Sequence, residues 1–261
     1  MNETFASSLV FTALSSIPVV QPGDDLTKLT IIGLSDSGIA LAHGDILVVA
    51  QKIVSKAEGR FVNLDKVTPS SKAKKLADEI GKDARLVEVI LQESMRVVRT
   101  RDNLIIVEHR LGFVCANAGV DHSNVASPDG RPGEWVLLLP ENPDASAMRL
   151  RNEIQDSMGA NIGVLIIDSH GRAWRLGTVG ITIGIAGFPA LLDLRGKPDL
   201  YGDTLKVTQV GLADEVAAGA SALMGQADEG RPIVHVRGLP YELREGSLRE
   251  LIRPKDEDLF Q

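Results

Sequence analysis

Two short runs without a polar residue, Ile46-Leu47-Val48-Val49-Ala50 and Gly163-Val164-Leu165-Ile166-Ile167, set the tightest limit on what this chain can fold into. Continuous aliphatic runs of this length, bounded by turn signals, read as strands buried in a core rather than lying half in water. The second run leads into Asp168-Ser169-His170-Gly171-Arg172, which reads as an acidic turn with a permanent cation beside its carboxylate. A comparable turn, Asn117-Ala118-Gly119-Val120-Asp121-His122-Ser123-Asn124, follows the apolar segment Gly112 to Ala116. Two strand-end aspartates among amides, hydroxyls and arginines match the needs of metal-nucleotide chemistry.

The remaining segments predict a mixture of short strands and helices. Ile17-Pro18-Val19-Val20 reads as extended chain entering the turn Gln21 to Asp25, and Leu26, Leu29, Ile32 and Leu34 predict a short amphipathic helix. Gln51 to Gly59 is expected to continue the Ile46 strand, with Lys52 and Lys56 at its far end. Ser70 or Ser71 can cap a helix over Lys72 to Ile80 that stops at Gly81, and a second helix is expected from about Asp83 to Val98. Strands are predicted at Leu104–Val107, Gly112–Ala116, Trp135–Leu139, Leu205–Val210 and Pro232–Val236, and helices at Pro143–Met158 and Ala213–Met224. The spaced glycines of Gly177 to Gly187, set among β-branched residues, predict extended, closely packed backbone. Ser127 to Gly133 is a turn-rich loop, and the charged tail after Glu245 is expected at the surface. Without a steady βαβ rhythm, the expected fold class is α+β, with mixed sheets and flanking helices rather than a doubly wound sheet.

Composition excludes several function classes. The chain has 261 residues and 44% hydrophobic content, enough for a substantial core in one large unit or two smaller ones. A net charge of −7, from 28 basic and 35 acidic residues, argues against nucleic-acid binding through a general basic surface. No apolar run approaches the roughly 20 residues of a membrane-spanning helix. The first ten residues carry Glu3 and no basic segment, so they do not read as a secretory signal, and a cytoplasmic location is expected. Cys115, the single cysteine, sits among Phe113, Val114 and Ala116 and reads as core packing. Neither a dinucleotide-binding glycine fingerprint nor a P-loop is present, since Gly81-Lys82 and Gly196-Lys197 lack the following Ser or Thr.

On local grounds each candidate keeps a plainer reading beside the functional one. Asp121 and Asp168 suit Mg²⁺ or Mn²⁺, which take oxygen ligands, but either could cap a turn. Ser169 could add a hydroxyl ligand and Asn124 could bond a nucleotide, or both could serve their turns. Arg172 and Arg175 could clamp phosphates or a carboxylate, or lie in a solvated loop. Lys56 could neutralise a phosphate or only aid solubility, and Gln226 is uninformative alone. His122, His170 and His235 are too dispersed for zinc and are expected in surface or turn roles.

Taken in order, Val54-Ser55-Lys56-Ala57-Glu58-Gly59, Asn117 to Asn124, Asp168 to Arg172, Asp199-Leu200-Tyr201-Gly202 and Ala213-Asp214-Glu215 make the chain resemble the coenzyme F420-0:γ-glutamyl ligase family. The likeness runs from Ile17-Pro18 to Val236-Arg237-Gly238. It implies a ligase that uses GTP to add L-glutamate to coenzyme F420-0, and further γ-linked glutamates, through an acyl phosphate. It implies Mg²⁺ or Mn²⁺ at two positions, with K⁺ as a further expectation. By the resemblance, Ile17, Pro18, Val19, Val20, Gln51, Lys52, Lys56, Asn124, Met224, Gly225, Gln226, Gly230 and Arg231 contact the nucleotide. Asp121 and Asp168 hold one metal, and Ser169 and Gln226 hold a second. Lys56, Arg172 and Arg175 supply catalytic positive charge. Ser169 stands where the family often has Thr, and Gln226 where it often has an acid. The implied fold is a two-part, V-shaped α+β subunit, with residues 1–261 forming one ligase unit whose inner subdomain is inserted into the outer one. An intertwined homodimer is implied as well. A metal-dependent phosphohydrolase, and a non-catalytic nucleotide or deazaflavin carrier, are the alternative functions.

Overall fold

The computed structural model describes residues 8–125, 127, 128, 130 and 132–259. Residues 1–7, on which part of the N-terminal reading rests, lie outside the described residues, as do Asp129 and Arg131 of the turn-rich loop. The elements in chain order are β1 (Val10–Ala13), α1 (Leu26–Asp36), β2 (Ile46–Ala50), α2 (Gln51–Ala57), β3 (Phe61–Asn63), α3 (Ser71–Ile80), α4 (Ala84–Gln92), β4 (Ser94–Arg101), β5 (Leu104–His109) and β6 (Val114–Ala116). They continue with β7 (Trp135–Leu137), α5 (Pro143–Met158), β8 (Gly163–Arg172), β9 (Arg175–Ala186), β10 (Leu192–Asp193), β11 (Gln209–Val210), α6 (Leu212–Met224) and β12 (Ile233–Arg237). The mixed α+β class matches the sequence reading.

The main sheet runs in the order β1-β12-β2-β8-β9. Its centre is the parallel pair β2 and β8, with Ile46 opposite Gly163 and Ala50 opposite Ile167. β12 lies antiparallel to β2 on one side and β9 antiparallel to β8 on the other. Ile46, Leu47, Val48 and Val49 are all fully buried, as their unbroken aliphatic run requires. One face of the sheet packs on α1, α2 and α5 through Leu34, Ile53, Val54, Leu150 and Ile154. The other packs on α6 through Leu212, Val216, Ala217 and Ala220. Fully burying each large aliphatic side chain contributes about 1.5–3 kcal/mol.

Between α2 and α5 the chain leaves this sheet and builds two smaller ones, β3-β7 and β4-β5-β6. α3 and α4 cover the latter through Ala77, Ile80, Val87 and Ile90 against Ile105 and Val107. α3 begins where Ser70 accepts the Ala73 N–H at 3.2 Å, and it ends on Gly81 in the left-handed conformation.

Five sequence expectations change. Gln51 onward is helix α2, because Ile53, Val54 and Ala57 meet the core at helical spacing. The helix from Ala84 stops at Gln92, and Ser94–Arg101 is strand β4, whose Val97 faces the same core as Ile105. Asp168 to Arg172 is the outward continuation of β8 and not a turn. Of Leu205–Val210 only Gln209 and Val210 form a strand. The charged tail also packs back in part: Leu248 is buried, and Ser247 and Glu250 cap each other.

β9 lies between helices on both faces, and glycine makes both approaches. A bulge at Ile183 shifts the register against β8, so Gly180 faces α6 while Gly184 faces α5. A Cβ on Gly180 would meet Ser221 and lie 2.7 Å from the Ala217 carbonyl, and one on Gly184 would lie 2.6 Å from the Pro143 carbonyl. Helix backbone cannot retreat as a side chain can. Gly180→Ala should therefore destabilise the protein by about 1–3 kcal/mol, as overpacking does. Urea denaturation would check this, and a wild-type midpoint would show that α6 does not seat on β9 as described.

Candidate functional site

The sheet topology brings four distant segments to one edge. β2 and β8 are parallel, so their C-terminal ends emerge together, delivering Gln51 beyond Ala50 and Asp168 beyond Ile167. β12 enters at that same edge, because Ile233 pairs with Val49 and the Pro232 carbonyl accepts the Ala50 N–H at 2.8 Å. β1 leaves there too: Ala13 pairs with Val234, and the chain passes through Leu14 to Ile17–Val20. Open sheets with parallel strands present ligand sites at carboxyl ends of this kind.

The cleft at this edge has a volume of about 380 Å³, within the range of small-molecule sites. Ile17, Pro18, Val19 and Val20 line it, with Gln51, Lys52 and Lys56 from α2 and Asp168 and Ser169 from β8. Asp121 and Asn124 come from the turn after β6, and Met224, Gly225, Gln226, Gly230 and Arg231 from the α6–β12 connection. Arg172 and Arg175 do not join them. They pair across the outer end of the β8–β9 ribbon, exposed and outside the cleft lining.

Asp121 is held by its backbone. Its N–H donates to the Leu137 carbonyl and its carbonyl accepts the Leu137 N–H, both at 2.9 Å. The turn that delivers it is strained, with Asn117 at φ 50°, Ala118 at φ 53° and Asn124 at φ 55°. Ala118 is fully buried and Asn117 accepts the Ile105 N–H, so packing on α3, α4 and β5 holds the strained backbone in place.

The Asp121 side chain meets two partners from the start of α2. Lys52 Nζ lies 3.3 Å from Oδ2, and Gln51 Nε2 donates to the same oxygen at 3.0 Å. Burial pushes the Asp121 carboxyl above its ordinary pKa; Lys52 opposes this and the charge of Asp168 adds to it. Burial, with Lys52 beside it, holds the Lys56 ammonium below its ordinary value, and Asp121 partly offsets that. On β8, Asp168 Oδ2 lies 2.9 Å from His170 Nε2. Both aspartates thus engage the protein through Oδ2. The mouth is tied by Asn124 Nδ2 donating to the Ala227 carbonyl at 3.3 Å, and Gln226 Nε2 lies 3.4 Å from Ser221 Oγ.

Among the described residues no three His, Cys, Asp or Glu side chains cluster as a metal site. Among the oxygen donors that line the cleft are the two mutually repelling carboxylates, Ser169 and the amide of Gln226. That set suits a hard divalent cation which fills its other positions with water and ligand oxygens. The residues fit such an ion.

Two of the histidines depart from their expected surface roles. His170 is buried against Phe113 and bonded to Asp168, and His235 is buried beside Asp45. Read as strand, Asp168 and His170 fall two apart on one face, the signal that the turn reading hid. Ser221, Ser123 and Glu229 also line the cleft without having been singled out. Cys115 is buried as expected, which pushes its thiol up to about 12.

Comparison with known proteins yields consistent matches. The family model described as F420-0:Gamma-glutamyl ligase matches residues 15–238. A protein of Methanopyrus kandleri named coenzyme F420:L-glutamate ligase is 48% identical over 246 residues, 93% of each chain. One of the same name from Methanothermobacter thermautotrophicus is 44% identical over 250 residues, 95% of this chain and 97% of its own. A third, from Methanocaldococcus jannaschii, is 43% identical over 245 residues, 94% of each.

The direction of the Asp121 shift has a consequence for stability. A carboxyl with a raised folded-state pKa subtracts from stability while ionised, and the penalty vanishes below about pH 4, where both states are protonated. Asp121→Asn, without ligand, should therefore melt at or above the wild-type temperature at pH 7, with the difference shrinking toward pH 4. Differential scanning calorimetry across that range tests it. A lower melting temperature at pH 7 would show that the Lys52 pairing outweighs burial.

Proposed function

The chain belongs to the F420-0:gamma-glutamyl ligase family, and from that premise we propose that this ligase uses GTP to join L-glutamate to coenzyme F420-0 at the sheet-edge cleft. The observation that carries the proposal is the convergence of Ile17–Val20, Gln51 to Lys56, Asp121, Asp168 and the α6–β12 connection on one cleft. The family's description supplies the F420-0 acceptor, and the relatives' names supply L-glutamate.

A carboxylate and an amine do not condense spontaneously in water. Transfer of the γ-phosphoryl group of GTP to the acceptor carboxylate forms an acyl phosphate and GDP. The glutamate amine then attacks the acyl carbon and phosphate leaves. Asp121 and Asp168 are assigned to one divalent cation and Ser169 and Gln226 to a second; Mg²⁺ or Mn²⁺ there would neutralise phosphate charge. Lys52, Lys56 and Arg231 bring positive charge to the same cleft. An incoming phosphate would offset the burial and mutual repulsion that hold Lys56 below its ordinary pKa. Ile17–Val20 and the Met224-to-Arg231 connection, from opposite ends of the chain, are assigned to grip the nucleotide, with Asn124 at the tied mouth.

We also read the subunit as two subdomains, the outer one carrying the main sheet and the inner one inserted between α2 and α5. A homodimer would give a place to Trp174 and Leu176 on the β8–β9 ribbon, 90% and 99% exposed, and to Leu200, Tyr201 and Val207. Arg172 and Arg175 stand on that ribbon. We assign them no phosphate contact within their own chain.

Purified protein given F420-0, L-glutamate, GTP and Mg²⁺ or Mn²⁺ should add glutamyl mass to the coenzyme and release GDP over many turnovers only when glutamate is present. Sustained GDP release without glutamate would favour a phosphohydrolase, and binding without GDP release a carrier. Asp168→Asn should lower turnover by about 10³-fold or more, because the charge stabilisation lost is worth several kcal/mol, while unfolding stays cooperative. Turnover that survives Asp168→Asn would refute the metal assignment.

A further inference from the structure

The amide of Gln51, although it borders the cleft, is committed inside the protein. The side chain is 3% exposed. Its Nε2 donates to Asp121 Oδ2 at 3.0 Å, and its Oε1 accepts from Ser55 Oγ at 2.9 Å. Ser55 is fully buried one helical turn along α2, on the same face. The orientation of the amide follows from its partners: an ionised carboxylate only accepts, so the NH₂ group must face Asp121 and the carbonyl must take the Ser55 hydroxyl. One N–H and one lone pair of the amide are spent inside the protein, and burial of the residue covers most of what is left.

We propose that Gln51 is a positioning residue for Asp121, locked by Ser55, and not a contact to the nucleotide. The inference rests on the reading of Asp121 as a metal ligand. Gln51 follows Ala50 of β2 without a linking loop, so the donor is fixed to the most buried strand of the sheet. Asp121 is fixed independently by its two backbone bonds to Leu137. The Gln51 bond joins these two supports at the carboxylate. It takes Oδ2 with a neutral donor, and no described residue donates to Oδ1, which is left for a cation. Lys52 pairs with the same Oδ2 as a charge on a longer, more flexible stem, which places an oxygen less sharply than a locked amide does. Outer partners of this kind orient ligands and are typically worth about 10–100-fold in metal affinity.

Gln51→Met keeps the volume and removes both hydrogen bonds, and the Ser55 hydroxyl can fall back on the carbonyl one turn earlier in α2. Three quantities separate positioning from nucleotide contact: Mn²⁺ affinity by electron paramagnetic resonance with a non-hydrolysable GTP analogue present, GDP affinity in EDTA by calorimetry, and kcat against Mn²⁺ concentration. The expected result is Mn²⁺ affinity weakened about 10-fold or more, unchanged GDP affinity in EDTA, and kcat recovered by excess Mn²⁺. Ser55→Ala should shift Mn²⁺ affinity in the same direction by less, and it carries the test if Gln51→Met loses its cooperative melting transition. Weakened metal-free GDP binding with unchanged Mn²⁺ affinity would overturn the proposal and make Gln51 a nucleotide contact. Wild-type protein that binds no Mn²⁺ beside the GTP analogue would overturn the metal reading itself, and the positioning role with it.

Discussion

The parallel pairing of β2 with β8 is the constraint on which the rest of the structure depends. Antiparallel neighbours would deliver Gln51 and Asp168 to opposite edges of the sheet; the Ala50–Ile167 register delivers them side by side. β12 and β1 then extend the sheet so that the α6–β12 connection and Ile17–Val20 arrive at the same edge. A parallel pair needs a long crossover, and here the crossover contains the two smaller sheets as well as α5. Those sheets carry Asp121 back to the edge, where two backbone hydrogen bonds join it to Leu137 of β7. One register therefore positions residues from nearly the full length of the chain.

Such a site leaves electrostatic demands that the protein alone does not satisfy. Two carboxylates repel across the cleft, and two lysines repel beside them, in an environment that disfavours charge. Lys52 next to Asp121 relieves part of this. A divalent cation on the carboxylates and phosphates on the lysines would relieve more. The strained left-handed residues of the Asn117–Asn124 turn belong to the same arrangement, since a well-packed core holds the backbone where Asp121 is needed.

Local chemistry made much of the fold legible. The caps of α3 at Ser70 and Gly81 and the start of α5 at Pro143 follow from residue type, and the aliphatic runs gave β2 and β8. The misread stretches were those where tertiary packing chose between periodicities: Gln51–Gly59 has apolar residues that serve a helix, and Ser94–Arg101 pairs with β5 despite following a helical pattern. The site was less legible. Asp121 and Asp168 suit a divalent cation on local grounds but also read as turn caps, Lys56 and Gln226 say little alone, and only their joint resemblance to one family chose between the readings. The bond between His170 and Asp168 was hidden by reading a strand as a turn. The buried link Ser55–Gln51–Asp121 spans 70 positions between Gln51 and Asp121, a relation no local pattern encodes.

The most direct measurement of the central claim is a crystal structure with Mn²⁺ and a non-hydrolysable GTP analogue, with the manganese located by its anomalous scattering. The account predicts an anomalous peak within ligand distance of both Asp121 and Asp168, with the analogue's phosphates beside Lys52 and Lys56 and its base between Ile17–Val20 and the α6–β12 connection. Manganese bound away from both aspartates, or the analogue seated outside the sheet-edge cleft, would contradict it.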